Sequence, residues 1–309
     1  MDIVISEFMD DMAVEALRRR FAVHYAPALA GERQELLALL DAAPALIVRN
    51  RTQVDAALLE AAPRLRVVGR LGVGLDNIDT AACRRRGIAV IPATGANALA
   101  VAEYVVANAM LLLRGAYLSS AAVAAGEWPR AQLSDGREAA GKTLGLVGFG
   151  GIGRLTARLA QALGMRVIAY DPLLAHDAPA WRESGVARRG LDALLGEADA
   201  VSLHVPLTGE TRGLIDGARI AAMKPGAVLI NTARGGIVDE AALGEALRAG
   251  KLGGAALDVF GQEPLPAGSP LAGVPNLILT PHIAGVTLES NQRVSALIAE
   301  RVADFLLTI

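Results

Sequence analysis

The sequence predicts an α/β protein of two doubly wound parallel sheets, one domain inserted into the other. Three observations predict it. Short apolar runs of strand length alternate with helix-like stretches twice along the 309 residues. A long apolar segment and a polar, irregular bridge separate the two series. The second series holds six strand-like runs, a full set for one doubly wound domain, before the chain ends in another amphipathic stretch.

In the first series the strand-length runs are 3–5, 46–48, 65–68 and 88–91. Helix-like stretches lie around 12–20, 32–42, 54–61 and 78–86. Pro44 and Pro63 stand just before strands, where a helix must already have stopped. From 98 to about 125 the pattern reads as one long helix, too apolar to be bathed in water on all sides. Residues 126–140 read as the bridge. The second series places strands at 144–147, 166–170, 200–204, 227–231, 254–257 and 277–279. Leu288, Val294, Leu297, Ile298 and Phe305 then recur at roughly helical spacing. The preceding strands already complete a domain, so this last helix is expected to return and pack on the first one. The expected domains are 1–97 with 286–309, and an inserted 98–285, with a cleft between them.

Composition narrows the class. The hydrophobic fraction is 53% and the mean hydropathy +0.39, but the excess is largely alanine and short aliphatic runs. The longest apolar stretch, 98–113, contains Glu103 and Asn108 and falls short of a bare membrane span. No basic region precedes a long apolar one at the N-terminus, so no signal peptide is expected. The single cysteine, Cys83, excludes an internal disulfide and fits a reducing cytoplasm. A net charge of −2 gives no electrostatic case for nucleic acid or an anionic membrane. The expected partner is a small molecule, and no metal is called for.

The segment KTLGLVGFGGIGR, residues 142–154, carries a dinucleotide fingerprint. Gly148 permits a tight turn, Gly150 lets a pyrophosphate approach the backbone, and Gly153 lets the following helix pack on the strand. Gly151 and Ile152 open that helix, whose positive end favours phosphate. Asp171 ends the next strand, where a carboxylate accepts bonds from ribose hydroxyls and repels a 2′-phosphate. That pattern predicts a Rossmann domain that takes NAD rather than NADP.

Three ionisable residues follow at matched points: Arg234 in NTARG, Glu263 in DVFGQEP and His282 in LTPHIAG. A planar guanidinium can hold a carboxylate and polarise a neighbouring carbonyl together. A histidine can give a proton to a carbonyl oxygen as hydride arrives, or take it back. A glutamate paired to its other ring nitrogen fixes the tautomer.

Six segments carry a resemblance over essentially the whole chain. GRLGVGLDNID (69–79), the fingerprint at 148–153, HVPLT (204–208), NTARGGIVDEAAL (231–243), ALDVFGQEP (256–264) and TPHIAG (280–285) resemble the D-isomer-specific 2-hydroxyacid dehydrogenases. The likeness is to phosphoglycerate dehydrogenase-like and hydroxypyruvate reductase-like members. It implies a Rossmann cofactor domain inserted into a flavodoxin-like substrate domain, NAD as cofactor, and Arg234, Glu263 and His282 as the catalytic set. It further implies Asp258 near the nicotinamide, with Val205, Pro206, Thr232, Ala233, Ala284 and Gly285 along the cofactor. Val73 and Gly74 resemble the loop whose N–H groups receive the substrate carboxylate. His204, in the HVPLT turn, reads as structural.

Formate dehydrogenases resemble this pattern but pair their histidine with glutamine, so Glu263 points to 2-keto acids. With the chain ending at Ile309, no added regulatory domain is expected. The family's habit of pairing and the apolar helix imply a homodimer. A second reading is an NAD(H)-sensing binding protein of the corepressor kind, which keeps the same residues but usually carries extra tails. For the far end of the substrate, Arg49, Asn50 and Arg51 follow the strand at 46–48, on the side where a parallel domain faces its ligand. They suit a second anion at C3, such as a phosphate, sulfonate or carboxylate. The competing reading has Arg49 or Arg51 solvated or paired with a nearby acid.

Overall fold

The computed structural model describes residues 1–308. The chain divides into two compact units, residues 1–97 with 286 onward, and 98–285. In the first unit the order is β1 (Ile3–Ile5), α1 (Asp11–Arg18), β2 (Val23–Tyr25), α2 (Arg33–Leu40), β3 (Ala45–Val48), α3 (Ala56–Glu60), β4 (Val67–Arg70), α4 (Thr80–Arg85) and β5 (Ala89–Pro92). The strands form one parallel sheet in the order β2-β1-β3-β4-β5. β1 and β3 are buried throughout, the pattern of strands covered on both faces.

Most bounds shift by a residue or two, and two departures from the sequence reading have a plain physical cause. β2 has no counterpart in it, because three half-buried residues on a sheet edge make no apolar run; pairing with β1, Ile3 against Val23, defines the strand. β4 begins at Val67 rather than 65, since Leu65 N–H turns back to the Ala62 carbonyl and pairing with β3 starts at Val67 against Ala45.

The second unit opens with α5 (Ala98–Arg114) and α6 (Ser120–Ala124). The expected single helix to 125 is therefore corrected. Gly115 takes φ +71, which ends the α-helical hydrogen-bond ladder, and a 3₁₀ turn at Ala116–Ser119 leads into α6. There follow β6 (Thr143–Val147), α7 (Gly151–Ala162), β7 (Arg166–Tyr170), α8 (Pro179–Ser184), β8 (Ala187–Arg188), α9 (Leu191–Glu197), β9 (Ala200–Leu203), α10 (Gly217–Ala222), β10 (Val228–Asn231), α11 (Glu240–Arg248), β11 (Gly254–Leu257) and β12 (Leu277–Leu279). The sheet is parallel, ordered β12-β11-β10-β9-β6-β7-β8; the two-residue edge strand β8 adds to the six expected. Strand order reverses between β6 and β9. Ligands of such sheets bind beyond the carboxyl ends at that switch point.

The last helix, α12 (Leu288–Leu307), belongs to the first unit. Thr287 and Ser290 start it with a reciprocal capping box, at 3.0 and 2.7 Å. Its face of Val294, Ile298, Ala299, Val302 and Ala303 joins Ile3, Ile5, Ile47 and Val67 in one core. Gly69 in β4 permits the approach, because a Cβ there would lie 2.8 Å from the γ-methyls of both Ile298 and Val302. Replacing the fully buried Ile298 by alanine is expected to cost about 2–5 kcal/mol, a transfer term plus a cavity term. Urea denaturation checks this, and a loss below about 1 kcal/mol would show that the α12 seam contributes little.

Candidate active site

The glycine turn between β6 and α7 is built by close backbone approach. Gly148 takes φ +98, and a Cβ there would collide with the His204 carbonyl; a Cβ on Gly153 would collide with the carbonyl of Gly148. A Cβ on Gly150 or Gly151, by contrast, would meet no atom within 4 Å. No side chain caps the first turn of α7. Unclaimed N–H groups at a helix start, beside open space, fit a phosphate. Phe149 between these glycines is buried and stacks on Trp181 at 4.8 Å between ring centroids, which anchors the turn.

Asp171, just past β7, accepts Phe149 N–H at 2.8 Å through Oδ2, and Leu173 and Leu174 N–H at 2.9 and 3.2 Å through Oδ1. It thus braces the fingerprint. A carboxylate has about four lone-pair sites and three are taken here, so about one is left for a ribose hydroxyl. Val205 and Pro206 follow β9, Thr232 and Ala233 follow β10, Asp258 follows β11, and Ala284 and Gly285 come after β12. All stand beyond the carboxyl edge of one parallel sheet. Thr232 Oγ1 is buried with no hydrogen-bond partner among the described residues, an orphan that a ligand would satisfy. The residues fit a dinucleotide. His204 pairs with Ser202 Oγ at 3.0 Å, and burial pushes its pKa down to about 4, which leaves a neutral structural ring.

Three loops at the same sheet edge carry the ionisable residues. After β10 the buried Asn231 side chain clips its own turn, accepting Ala233 N–H at 3.0 Å and donating to the Arg234 carbonyl at 2.9 Å. Arg234 Nη1 donates to the Ala233 carbonyl at 2.6 Å. A Cβ on Gly235 would overlap the Phe260 carbonyl, so the 232–236 loop lies backbone-to-backbone on the loop that carries Glu263. Glu263 Oε1 accepts Phe260 N–H at 3.0 Å, and Oε2 lies 2.8 Å from His282 Nδ1. That pairing leaves Nε2 without a partner among the described residues on a ring that is 46% exposed.

His282 sits at φ +57, a left-handed conformation that costs a residue of this kind about 1–3 kcal/mol. Asp258 holds it there. His282 N–H reaches the Asp258 and Thr280 carbonyls at 2.8 and 3.0 Å. The buried Asp258 carboxylate accepts Ile283 N–H and Ala284 N–H at 2.8 Å each, and the Thr280 hydroxyl at 2.6 Å. The family likeness places Asp258 beside the nicotinamide; in this chain its oxygens are engaged in shaping the histidine turn. Asn231, Gly235 and Thr280 are absent from the sequence-based site. Only the Gly235-Gly236 pair signalled a close approach.

In the first unit the 49–52 loop after β3 is wrapped around Glu7. Its carboxylate accepts the N–H groups of Arg49, Asn50, Arg51 and Thr52 at 2.8–3.2 Å. Burial alone would raise the Glu7 carboxyl, but the Thr52, Arg51 and Arg49 N–H groups outweigh it and hold it below the usual carboxylate range. Arg49 lies 5.8 Å over the exposed Phe8 ring, and its Nη2 donates to Asn291 Oδ1 at 2.8 Å. Its Nε and Nη1 make no hydrogen bond among the described residues, and neither does the exposed Arg51 guanidinium. The Asn50 side chain is exposed too. The Val73 and Gly74 N–H groups, after β4, have no acceptor among the described residues. Among those residues no group of His, Cys, Asp and Glu could hold a metal, and no helix is long and apolar enough to cross a membrane.

Known proteins resemble this chain over most of its length. Residues 106–284 match the family described as D-isomer specific 2-hydroxyacid dehydrogenase, NAD binding domain. The chain is 58% identical over 301 residues to (S)-sulfolactate dehydrogenase of Chromohalobacter salexigens, covering 97% of each chain. It is 38% identical over 304 residues to D-3-phosphoglycerate dehydrogenase of Archaeoglobus fulgidus, covering 98% of this chain but 57% of that protein. Among solved structures, the TT0316 protein of Thermus thermophilus superposes with a TM-score of 0.88 at 37% identity, covering 100% of this chain and 97% of that one. The chain belongs to the D-isomer-specific 2-hydroxyacid dehydrogenases and is an NAD-dependent oxidoreductase of 2-hydroxy acids.

Proposed function

We propose that Arg234, Glu263 and His282 carry the chemistry, with His282 Nε2 as the proton carrier. The observation that carries this reading is the 2.8 Å pairing of His282 Nδ1 with Glu263 Oε2, which leaves Nε2 on an exposed ring edge. The glycine turn, Asp171 and the residues after β9, β10 and β12 would hold NAD, which when bound would supply or accept a hydride. Glu263 accepts a hydrogen bond from Nδ1–H and so keeps the ring in one tautomer and orientation. His282 gives a proton to the C2 oxygen in reduction and removes it in oxidation. Arg234 holds the C1 carboxylate and polarises the C2 carbonyl. For Val73 and Gly74 the family resemblance supports a role in offering N–H groups to a substrate carboxylate, and both N–H groups lack an acceptor among the described residues.

For the substrate, the proposal is a small 2-hydroxy acid with a second anion at C3, of the sulfolactate kind. The relative named (S)-sulfolactate dehydrogenase, matched over 97% of both chains, supports this class. So does a half-buried Arg49 with donors left over at the carboxyl end of β3, next to Arg51. The protein is proposed to act in the cytoplasm, which its lone, buried Cys83 supports. It is proposed to pair as a homodimer through the 110–128 region, where Met110, Tyr117, Val123 and Trp128 are exposed.

His282→Ala is expected to lower kcat by a factor on the order of 10² to 10⁴, with NADH affinity by fluorescence little changed. Arg49→Ala and Arg51→Ala are expected to raise KM for 3-sulfopyruvate at least about tenfold while leaving glyoxylate nearly untouched, since a charge-assisted contact is lost only with the former. An equal effect on both substrates, or a wild-type preference for glyoxylate, refutes the second-anion assignment. Light scattering at micromolar concentration is expected to give a dimer mass, and a monomer refutes the pairing.

A further inference from the structure

Tyr104 takes no part in the chemistry above, yet its hydroxyl ends in the histidine turn. It projects from α5, a half-buried side chain, and its OH lies 2.6 Å from Thr280 Oγ1. The direction of that bond follows from its neighbours. Thr280 has one hydroxyl proton, and it is given to the Asp258 carboxylate at 2.6 Å, a group that only accepts when ionised. Tyr104 must therefore donate to Thr280. The result is a one-way chain, Tyr104 to Thr280 to Asp258, in which each bond polarises the next. Burial pushes the Tyr104 hydroxyl up from its usual pKa, which keeps the donor protonated at neutral pH.

The chain ends on the oxygens that hold His282. Asp258 Oδ1 takes the Thr280 hydroxyl together with Ile283 N–H, and Oδ2 takes Ala284 N–H. The His282 N–H is held by the main-chain carbonyls of Asp258 and Thr280. The left-handed φ of +57 at His282 is thus kept by contacts on both sides of it. A residue on a helix far away in the sequence sets one end of that clamp.

We infer that Tyr104 is a positioning residue for His282: through Thr280 and Asp258 it holds the backbone turn that aims the imidazole. This rests on the reading of His282 as the proton carrier. Proton transfer depends steeply on placement, whereas the substrate carboxylate and the dinucleotide are held by other groups. Loss of the hydroxyl therefore acts on kcat and not on binding.

The test is steady-state kinetics with NADH and a 2-keto acid on a set of conservative variants. Tyr104→Phe keeps the ring and removes the donor; it is expected to lower kcat by a factor on the order of ten, with KM and NADH affinity within about twofold. Thr280→Val is expected to give a similar loss, Thr280→Ser to recover activity, and the Tyr104→Phe/Thr280→Val pair to be no worse than the larger single loss. In a His282→Ala background, Tyr104→Phe is expected to change nothing further. Wild-type kcat in Tyr104→Phe, additive losses in the double variant, or a full Tyr104 effect without His282 overturns the inference while leaving the proton carrier in place. Undiminished turnover by His282→Ala alone overturns both.

Discussion

The Asp258 carboxylate is the constraint on which the chemical end of the second unit depends. It is buried, and its charge is met by two backbone N–H groups and one hydroxyl, all from the 280–284 segment. Leaving such a charge in the interior without donors would cost several kcal/mol, so the loop has little freedom to take another path. The path it takes puts His282 in a left-handed conformation that an unconstrained loop would abandon. Once the backbone is set, a 2.8 Å contact from Glu263 orients the ring. Geometry at the histidine is imposed in two steps, first on the main chain and then on the side chain.

Close backbone contact does for the other loops what the carboxylate does for this one. Gly235 allows the Arg234 loop to lie on the Phe260 carbonyl, and Gly148 and Gly153 allow the fingerprint to fold on itself and on His204. No side chain larger than hydrogen fits at these points. The glycines are therefore of two kinds. Gly148, Gly153 and Gly235 are needed for contact, whereas Gly150 and Gly151 border open space that a phosphate would use. Asp171 braces the turn by accepting three N–H groups, which leaves about one of its four acceptor sites open.

In the first unit a second buried carboxylate plays a comparable organising part. Glu7 gathers four consecutive N–H groups of the 49–52 loop and so fixes where Arg49 and Arg51 leave the backbone. Arg49 is further restrained by Phe8 and Asn291, while Arg51 stays extended into solvent. The two arginines that look alike in sequence thus differ in the contacts that restrain them. A restrained guanidinium loses less entropy on gripping an anion.

Much was legible in the sequence because its signals are local. Strand–glycine turn–helix, an acid at the end of the next strand, and alternating apolar runs are short-range patterns, and they predict two parallel sheets and a dinucleotide turn without any knowledge of what lies across the fold. The family motifs likewise brought Arg234, Glu263 and His282 forward one by one. What the tertiary structure alone decided are features whose cause lies elsewhere in the chain. β2 exists because β1 lies beside it. The 49–52 loop is shaped by Glu7, more than forty residues earlier, and the histidine turn is joined to Tyr104 across 176 residues. The long helix also stops earlier than its apolar pattern suggests, because Gly115 adopts a positive φ that composition alone does not specify. Periodicity records which face of an element is buried, but a hydrogen bond between distant segments leaves no periodic trace, so the side chains that aim the site emerge only once the chain has folded.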